Sequence, residues 1–447
     1  MASRKNWEDS DIFIEDNLYV MRGMNSGHID LIYLDPPFNS KHNYAAPIGS
    51  KAAGAAFKDT WTLRDVDDAW HGYIADKHPA LYSVIETSGQ VNGDSDKSYL
   101  IYMAIRILEM KRLLKPTGSI YLHCDPTMSH YLKMVMDAIF GKANFRNEII
   151  WCYSTSGRSK KFFAKKHDVV FLYALSNEAW KDYRIPVSQK YLDSHYRQVD
   201  SQGRRCRIRV DAGKKRIYYP DEGMICNDWW TDISYVNSMA KERTGYPTQK
   251  PLPLLRRIIE ASTKRGDVVF DPFCGCATSS VAAQELGRNW VACDISPMAG
   301  ELVVKRMEKE LGMFYEGNIR TDLPTRTTND LTDEENEIFG DAKIERYNSL
   351  TNKYTLFGKQ DGKCNGCGLR MEFKLFEVDH IIPQDQNGSN HISNLQLLCG
   401  PCNRSKGARP MDVFMAQKRA ELEEQLKLHD SLSKKIVHPD TNDKKKK

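Results

Sequence analysis

Two groups of residues in this chain have the types and spacing to do chemistry. The first is a pair of Cys-x-x-Cys knuckles, Cys364-Asn365-Gly366-Cys367 and Cys399-Gly400-Pro401-Cys402. Four thiolates so spaced suit tetrahedral Zn²⁺, and a domain of roughly 65 residues has a small core that gains from such a staple. Between the knuckles runs EVDHIIPQDQNGSNHISNLQLL, which starts at Glu377. Asp379 and His380 end a strand; Asn394 follows His380 by fourteen residues, and Asn403 comes nine later. Asp379 and Asn403 can offer oxygen ligands to Mg²⁺ or Mn²⁺. His380 can take a proton from water as general base. Asn394, by side chain or backbone, can orient that imidazole or its hairpin. Arg404 and Lys406 lie where phosphate contacts are expected, and His391 reads as a solvent-facing histidine.

The second group is Asp35-Pro36-Pro37-Phe38, at the end of the apolar run IDLIYL. An exocyclic amino nitrogen of a base is a poor nucleophile, because its lone pair is delocalised into the ring. The Asp35 carboxylate and the Pro36 carbonyl can accept its two hydrogens and localise that lone pair. Phe38 can stack on a base that has left its helix. Pro36 and Pro37 stiffen the turn and hold these groups in place. Far along the chain, VVFDPFCGCATSS joins a strand to a helix through a small-residue loop that lets a ligand approach the backbone. Asp294 ends the next strand, nineteen residues after Gly275, where an acid can bind ribose hydroxyls.

The elements that must position these residues alternate. Strands are expected at 29–34, 119–124, 148–153, 167–175, 266–275 and 289–296, and helices at 98–114, 128–140, 251–263, 279–287 and 297–312. That alternation argues for an α/β layered fold around a parallel sheet. Residues 39–97 are rich in Ala, Gly, Ser and Asp and read as a long loop region. Residues 319–345 read as a linker, 346–412 as a small second domain, and 413–447 as an exposed helix with a basic tail.

The 447 residues are too many for one ordinary core. A hydrophobic fraction of 41% excludes a mainly disordered chain. No apolar run is long enough for a membrane span and the polar N-terminus lacks the core of a signal peptide, so an intracellular protein is expected. Eleven cysteines, an odd number, argue against a disulfide framework. The net charge of +5 is modest, but from Arg158 to Arg216 sixteen Lys/Arg face six Asp/Glu. Phe162, Phe163, Tyr183, Tyr191 and Tyr196 are interleaved there, which suits phosphate contacts and base stacking.

Taken in order, DPPF, then GYPTQKP at 245–251, then DPFCGC at 271–276 resemble a β-class DNA amino-methyltransferase, over about residues 10–315. The resemblance implies a Rossmann-like domain (residues 1–318) with a mainly parallel seven-stranded sheet, using S-adenosylmethionine on double-stranded DNA. It implies that Asp271, Phe273 and Gly275 line the donor pocket, that Lys250 lies near the donor's methionine end and that Asp294 holds the ribose. Asp35, Pro36 and Phe38 would hold the target amino group, with residues 158–225 carrying target recognition. The leading Asp resembles adenine-N6 enzymes more than cytosine-N4 ones. One departure stands out: Ala277 replaces the family's usual glycine, and is strained if that position needs positive φ. Residues 346–410 resemble an HNH nuclease, a zinc-stapled ββα-metal domain. Together these imply a restriction–modification fusion in a prokaryotic or phage cytoplasm, associated with the nucleoid. A homodimer is expected if one HNH site makes double-strand cuts. The competing readings are a methyltransferase whose zinc module binds DNA without cutting, and a nuclease whose N-terminal half only recognises sites.

Overall fold

The structure is a computed structural model that describes residues 4–39, 44–45, 56–57, 68–154, 161–237, 240, 242–246, 248–311, 318–327, 347–386, 390 and 392–437. The elements used below are, first, β1 (Asp11–Ile14), α1 (Asn17–Gly23), β2 (Ile29–Leu34), α2 (Asp68–Lys77), α3 (Pro79–Asn92), α4 (Asp94–Leu113), β3 (Leu114–Cys124) and α5 (Ser129–Phe140). Next come β4 (Phe145–Cys152), β5 (His167–Ala174), β6 (Gln198–Val199), β7 (Arg205–Asp211), β8 (Lys214–Tyr218), β9 (Trp229–Trp230) and α6 (Leu252–Ser262). β10 (Val268–Asp271), α7 (Thr278–Glu285), β11 (Asn289–Asp294), α8 (Pro297–Leu311) and β12 (Asn318–Arg320) follow. Last are α9 (Leu350–Lys359), β13 (Phe376–His380), β14 (Leu395–Cys399), α10 (Gly400–Lys406) and α11 (Met411–Val437).

The chain divides into two compact units: Met1–Leu63 with Val84–Asp330, and Arg64–Ser83 with Leu331–Lys447. The first is built on a sheet of order β9-β4-β5-β3-β2-β10-β11-β1-β12, in which β5 alone runs antiparallel to its neighbours. Seven strands form its body, and the short β9 and β12 extend the two edges, making nine. β12 pairs with β1 through Arg320, so the expected linker starts inside the sheet. Its remainder from 328 lies outside the described residues.

The central strands are buried on both faces, as a sheet covered by helices requires. Leu31, Ile32, Val269 and Phe270 pair across β2 and β10 and are at most 1% exposed. α6 lays Leu254, Leu255, Ile258 and Ile259 on this core, each fully buried. β2 stops where Pro36 and Pro37 can no longer donate to a ladder. β10 and β11 lie side by side with β2, all parallel, so all three release the chain at the same edge of the sheet.

The expected loop at 39–97 is corrected by α2, α3 and the first turn of α4; residues 40–43, 46–55 and 58–67 lie outside the described residues. Trp70 and Ile74 in α2, and Leu81 and Ile85 in α3, are spaced for one face of their helix and all are buried. The surrounding Ala, Gly and Ser hide that period.

The second unit pairs the antiparallel β13 and β14 with α9, α10 and α11, and it includes α2, so the domain boundary drawn from sequence alone is also corrected. Tyr354 and Phe357 of α9 are fully buried. The Tyr354 hydroxyl donates to Asp76 of α2 at 2.8 Å. Tyr73 packs edge-on against Tyr354, and His71 against Phe357. Gly72 lets the two helices meet, since a Cβ there would lie 2.6 Å from the Tyr354 backbone. Met411 and Phe414 tuck the start of α11 into the unit, while Leu422, Leu426 and Leu428 are exposed. The basic tail from 438 lies outside the described residues. Among the described residues, no helix is long and apolar enough to cross a membrane.

Candidate active site and metal centre

Three carboxylates sit at the carboxyl ends of β2, β10 and β11: Asp35 just past the first, and Asp271 and Asp294 as the last residues of the other two. They line one cavity of about 350 Å³ with Pro36, Pro37, Phe38, Tyr246, Lys250, Phe273 and Gly275. Loops at the carboxyl ends of adjacent parallel strands are where α/β sheets bind ligands. Every residue picked from sequence for the first site therefore meets at one place.

Each acid has a distinct setting. Asp294 accepts hydrogen bonds from the backbone N–H groups of Gly275 and Ser296, both at 2.8 Å. Burial nevertheless raises its pKa. Asp271 accepts from Phe273 N–H at 3.0 Å and from the Ser279 hydroxyl. Burial pushes its carboxyl up to about 7, against those two donors and with help from the charges of Asp35 and Asp294. Asp35 is gripped by the Lys250 ammonium, 2.8 and 2.6 Å from its two oxygens.

The folded pKa of Asp271 lies above its ordinary value of 3.8, so the native state holds an extra proton between these limits. Its ionisation costs stability increasingly as pH rises from about 4 to about 7, and by a constant amount above. Asp271→Asn should therefore gain on wild type by roughly 2–4 kcal/mol between about pH 5 and about pH 8. Urea unfolding of both proteins across that range checks this, and a pH-independent difference would contradict it.

The loop geometry is tight. Gly275 has φ +51°, and a Cβ there would meet the Tyr246 ring at 2.8 Å. Ala277 adopts the left-handed conformation (φ 51°, ψ 44°), the strain the sequence raised as a condition. Arg306 steadies the loop by donating to Cys276 O and the Thr278 hydroxyl, each at 2.9 Å.

Several residues of this site went unnoticed in the sequence. Asn17, at the start of α1, donates to Pro272 O at 2.7 Å and accepts from Arg106 at 2.7 Å. Behind the Asp-Pro-Pro-Phe turn, the fully buried His123 joins the Tyr33 hydroxyl to Asp168, each at 3.0 Å, and its ring stacks on Phe38. Burial works against the Asp168 carboxylate, but His123, Lys250 and Tyr153 hold it below its usual range. Only Tyr246, inside the quoted GYPTQKP, carried a signal.

The basic stretch contains a hairpin, β7–β8, turned by Ala212 and Gly213 at φ 49° and 77°. Such residues make the two-residue turn that matches strand twist. Arg207, Arg209 and Arg216 share one face by alternation, and Arg209 and Arg216 are directly paired. Phe162 and Phe163 are exposed, but Tyr196 is buried, so it is not available to stack on a base. Residues 155–160 lie outside the described residues.

In the second unit the sulfurs of Cys364, Cys367, Cys399 and Cys402 lie within 4.8 Å of one another, a donor set that fits one tetrahedral metal ion. Burial opposes the Cys364 thiolate, yet backbone N–H groups of Cys399, Cys367 and Gly366 outweigh it and bring its pKa down to about 7. On β13, alternation puts Glu377 and Asp379 on one face. Asp379 accepts from Lys406 and Gln396, each at 3.0 Å. Asn403 donates to Glu377 at 2.6 Å, which adds Glu377 to the candidate residues. Lys406 is 1% exposed, so the expected phosphate contact is replaced by an ion pair with Asp379. Asn394 holds the backbone beyond His380, accepting from Ile382 N–H at 2.9 Å and donating to Ile382 O at 3.0 Å. The His380 ring itself meets Asn390 Oδ1 at 2.9 Å and Tyr347. His391 lies outside the described residues.

Comparison with known families decides what this geometry belongs to. The DNA methylase family N6_N4_Mtase matches residues 29–305. The chain belongs to that family. The HNH endonuclease family matches residues 364–409, so the DNA methylase is fused to an HNH domain. The chain is 25% identical over 348 residues to the Type II methyltransferase M.EcaI of Enterobacter cloacae, covering 67% of this chain and 69% of that protein. It is 23% identical over 304 residues to the DNA adenine methyltransferase YhdJ of Escherichia coli, covering 67% and 83%. Among solved structures, the DNA modification methylase TTHA0409 of Thermus thermophilus is 17% identical, with 70% of this chain and 99% of that one covered and a TM-score of 0.39.

Proposed function

We propose that the first unit methylates the exocyclic amino group of a base in double-stranded DNA, adenine N6, and that the second cuts DNA at a metal-dependent HNH site. The observation that carries the first half is the meeting of Asp35, Phe38, Asp271 and Asp294 in one cavity at the sheet edge. When bound, S-adenosylmethionine supplies an electrophilic methyl group on sulfur. Asp294, Asp271, Phe273 and Gly275 would hold this donor, with Lys250 near its methionine end. Asp35 and the Pro36 carbonyl would accept the hydrogens of the target nitrogen, and Phe38 would stack on its ring. The nitrogen becomes cationic on taking the methyl and then loses a proton, so no strong base is needed. Residues 158–225, with the arginine face of the β7–β8 hairpin, would read the duplex. Asp35 as the leading acid favours adenine, as does the likeness to YhdJ, whose name states that specificity.

In the second unit the four cysteines would hold Zn²⁺ as a staple. Asp379 and Asn403 would hold Mg²⁺ or Mn²⁺, with His380 as general base and Asn394 fixing its hairpin. The likeness to the Type II methyltransferase M.EcaI, with the fused HNH domain, supports a pairing of marking and cutting in a bacterial or phage cytoplasm, with two copies needed for a double-strand cut.

The test uses wild type and His380→Ala, each with two readouts. Plasmid from cells expressing it is mapped for methylated bases, and unmodified supercoiled plasmid is incubated with Mg²⁺. Wild type should nick or linearise the plasmid, and His380→Ala should lower cutting at least about 100-fold while leaving methylation intact. If neither protein cuts, the second unit is a binding module. If no methylated base appears, the first half of the proposal is wrong.

A further inference from the structure

We infer that Lys250 is a resident stand-in for the target amino group, occupying the acceptor site until a base displaces it. This rests on the methyltransferase reading above and gives Lys250 a second role beside its place near the donor's methionine end.

The argument is geometric. A target base must do two things here: give amino hydrogens to Asp35 and lay its ring on Phe38. Lys250 already does both in chemical kind. Its ammonium lies 2.8 and 2.6 Å from the two Asp35 oxygens, and 5.1 Å from the centre of the Phe38 ring. An N–H donor bridging a carboxylate above an aromatic ring is the arrangement the base would create. The pair is sheltered, with Lys250 8% exposed. Phe38 also stacks on the buried His123, so His123 backs the ring that receives the base. Lys250 thus satisfies a sheltered Asp35 charge that would otherwise lack a cationic partner among the described residues, and its displacement sets how readily a base enters.

Two consequences follow. Removing the ammonium should ease entry of the base, and strengthening its grip should hinder it. A merely structural lysine would show loss in both cases. The methylated site found by mapping is built into a short duplex. 2-Aminopurine is placed next to the target, which keeps its own amino group, because the probe brightens when its neighbour leaves the stack. Binding and emission are measured without added divalent metal, so that the second unit does not cut. Lys250→Met should bind this duplex roughly three- to tenfold more tightly and show brighter emission than wild type. Lys250→Arg, with a fork suited to both carboxylate oxygens, should bind more weakly and stay dimmer. The KM for unmodified duplex should move the same way, apart from any change in kcat. If Lys250→Met fails to fold by circular dichroism, Lys250→Gln replaces it with the same expected direction. Equal or weaker binding by the neutral variant overturns the stand-in role while wild type still methylates the duplex. A wild type that neither binds S-adenosylhomocysteine nor methylates overturns the underlying reading as well.

Discussion

Replacing Asp35 by Asn should slow methyl transfer by roughly 10²–10³-fold while changing uptake of S-adenosylhomocysteine only slightly. The change is nearly isosteric, so Pro36, Pro37 and Phe38 keep their places. What is lost is a full negative charge facing the nitrogen as that atom becomes cationic. A fixed charge in a sheltered cavity is worth more than the same charge in water, because nothing has to reorganise around it. The substitution also releases Lys250, whose ammonium is otherwise bound to both Asp35 oxygens. Base entry should therefore survive while the rate constant collapses. Tritiated methyl transfer into duplex DNA gives the rate, and calorimetry gives donor affinity. If the Asn variant keeps a tenth or more of the activity, Asp35 does not act on the amino group. If donor affinity falls in parallel with rate, the residue belongs to the donor side of the cavity.

The second large effect concerns folding. A fragment spanning residues 331–447 should fail to unfold cooperatively even with Zn²⁺, whereas the same fragment joined to residues 64–83 should do so. The fully buried Tyr354 and Phe357 pack against α2, and Tyr354 donates to Asp76. Exposing two such rings costs about 3–6 kcal/mol, against the roughly 3–5 kcal/mol that a core of this size supplies. Within the whole chain, Gly72→Val tests the same contact, since its Cβ would meet the Tyr354 backbone at 2.6 Å. It should lower the unfolding midpoint of the second unit and reduce plasmid cutting. Methylation should be the less affected activity, because the first unit has its own core. A cooperative 331–447 fragment would show that the helix is dispensable.

If this holds, the HNH domain is not an appendage to the methylase. The chain passes from Phe38 through the segment that supplies α2 before returning to the first unit at α4. A truncation meant to remove only the HNH domain would leave α2 without its partner.

Sequence alone picked out the residues that line the sheet-edge cavity and the four cysteines that cluster. Asp35, Phe38, Asp271, Gly275 and Asp294 were legible because each ends an apolar run or opens a small-residue loop. Backbone demands there leave few alternatives, as the left-handed Gly275 and Ala277 show. The four clustered cysteines were legible because metal geometry dictates short spacing within each pair. The strands β2, β10 and β11 could be read because parallel strands buried on both faces are continuously apolar. Other features depended on partners far along the chain. Asn17 reaches Pro272 across 255 residues, and no local pattern marks it. His123 and Asp168 look like ordinary polar residues within strands until β3 and β5 pair and bring them together. Lys406 looked like a phosphate ligand because charge is visible in sequence and burial is not. α2 was hidden by small residues that suit a loop and, equally, the close helix contact at Gly72. The packing of α9 against α2 settles which, since a glycine's freedom and a glycine's thinness read the same until the second helix is in place.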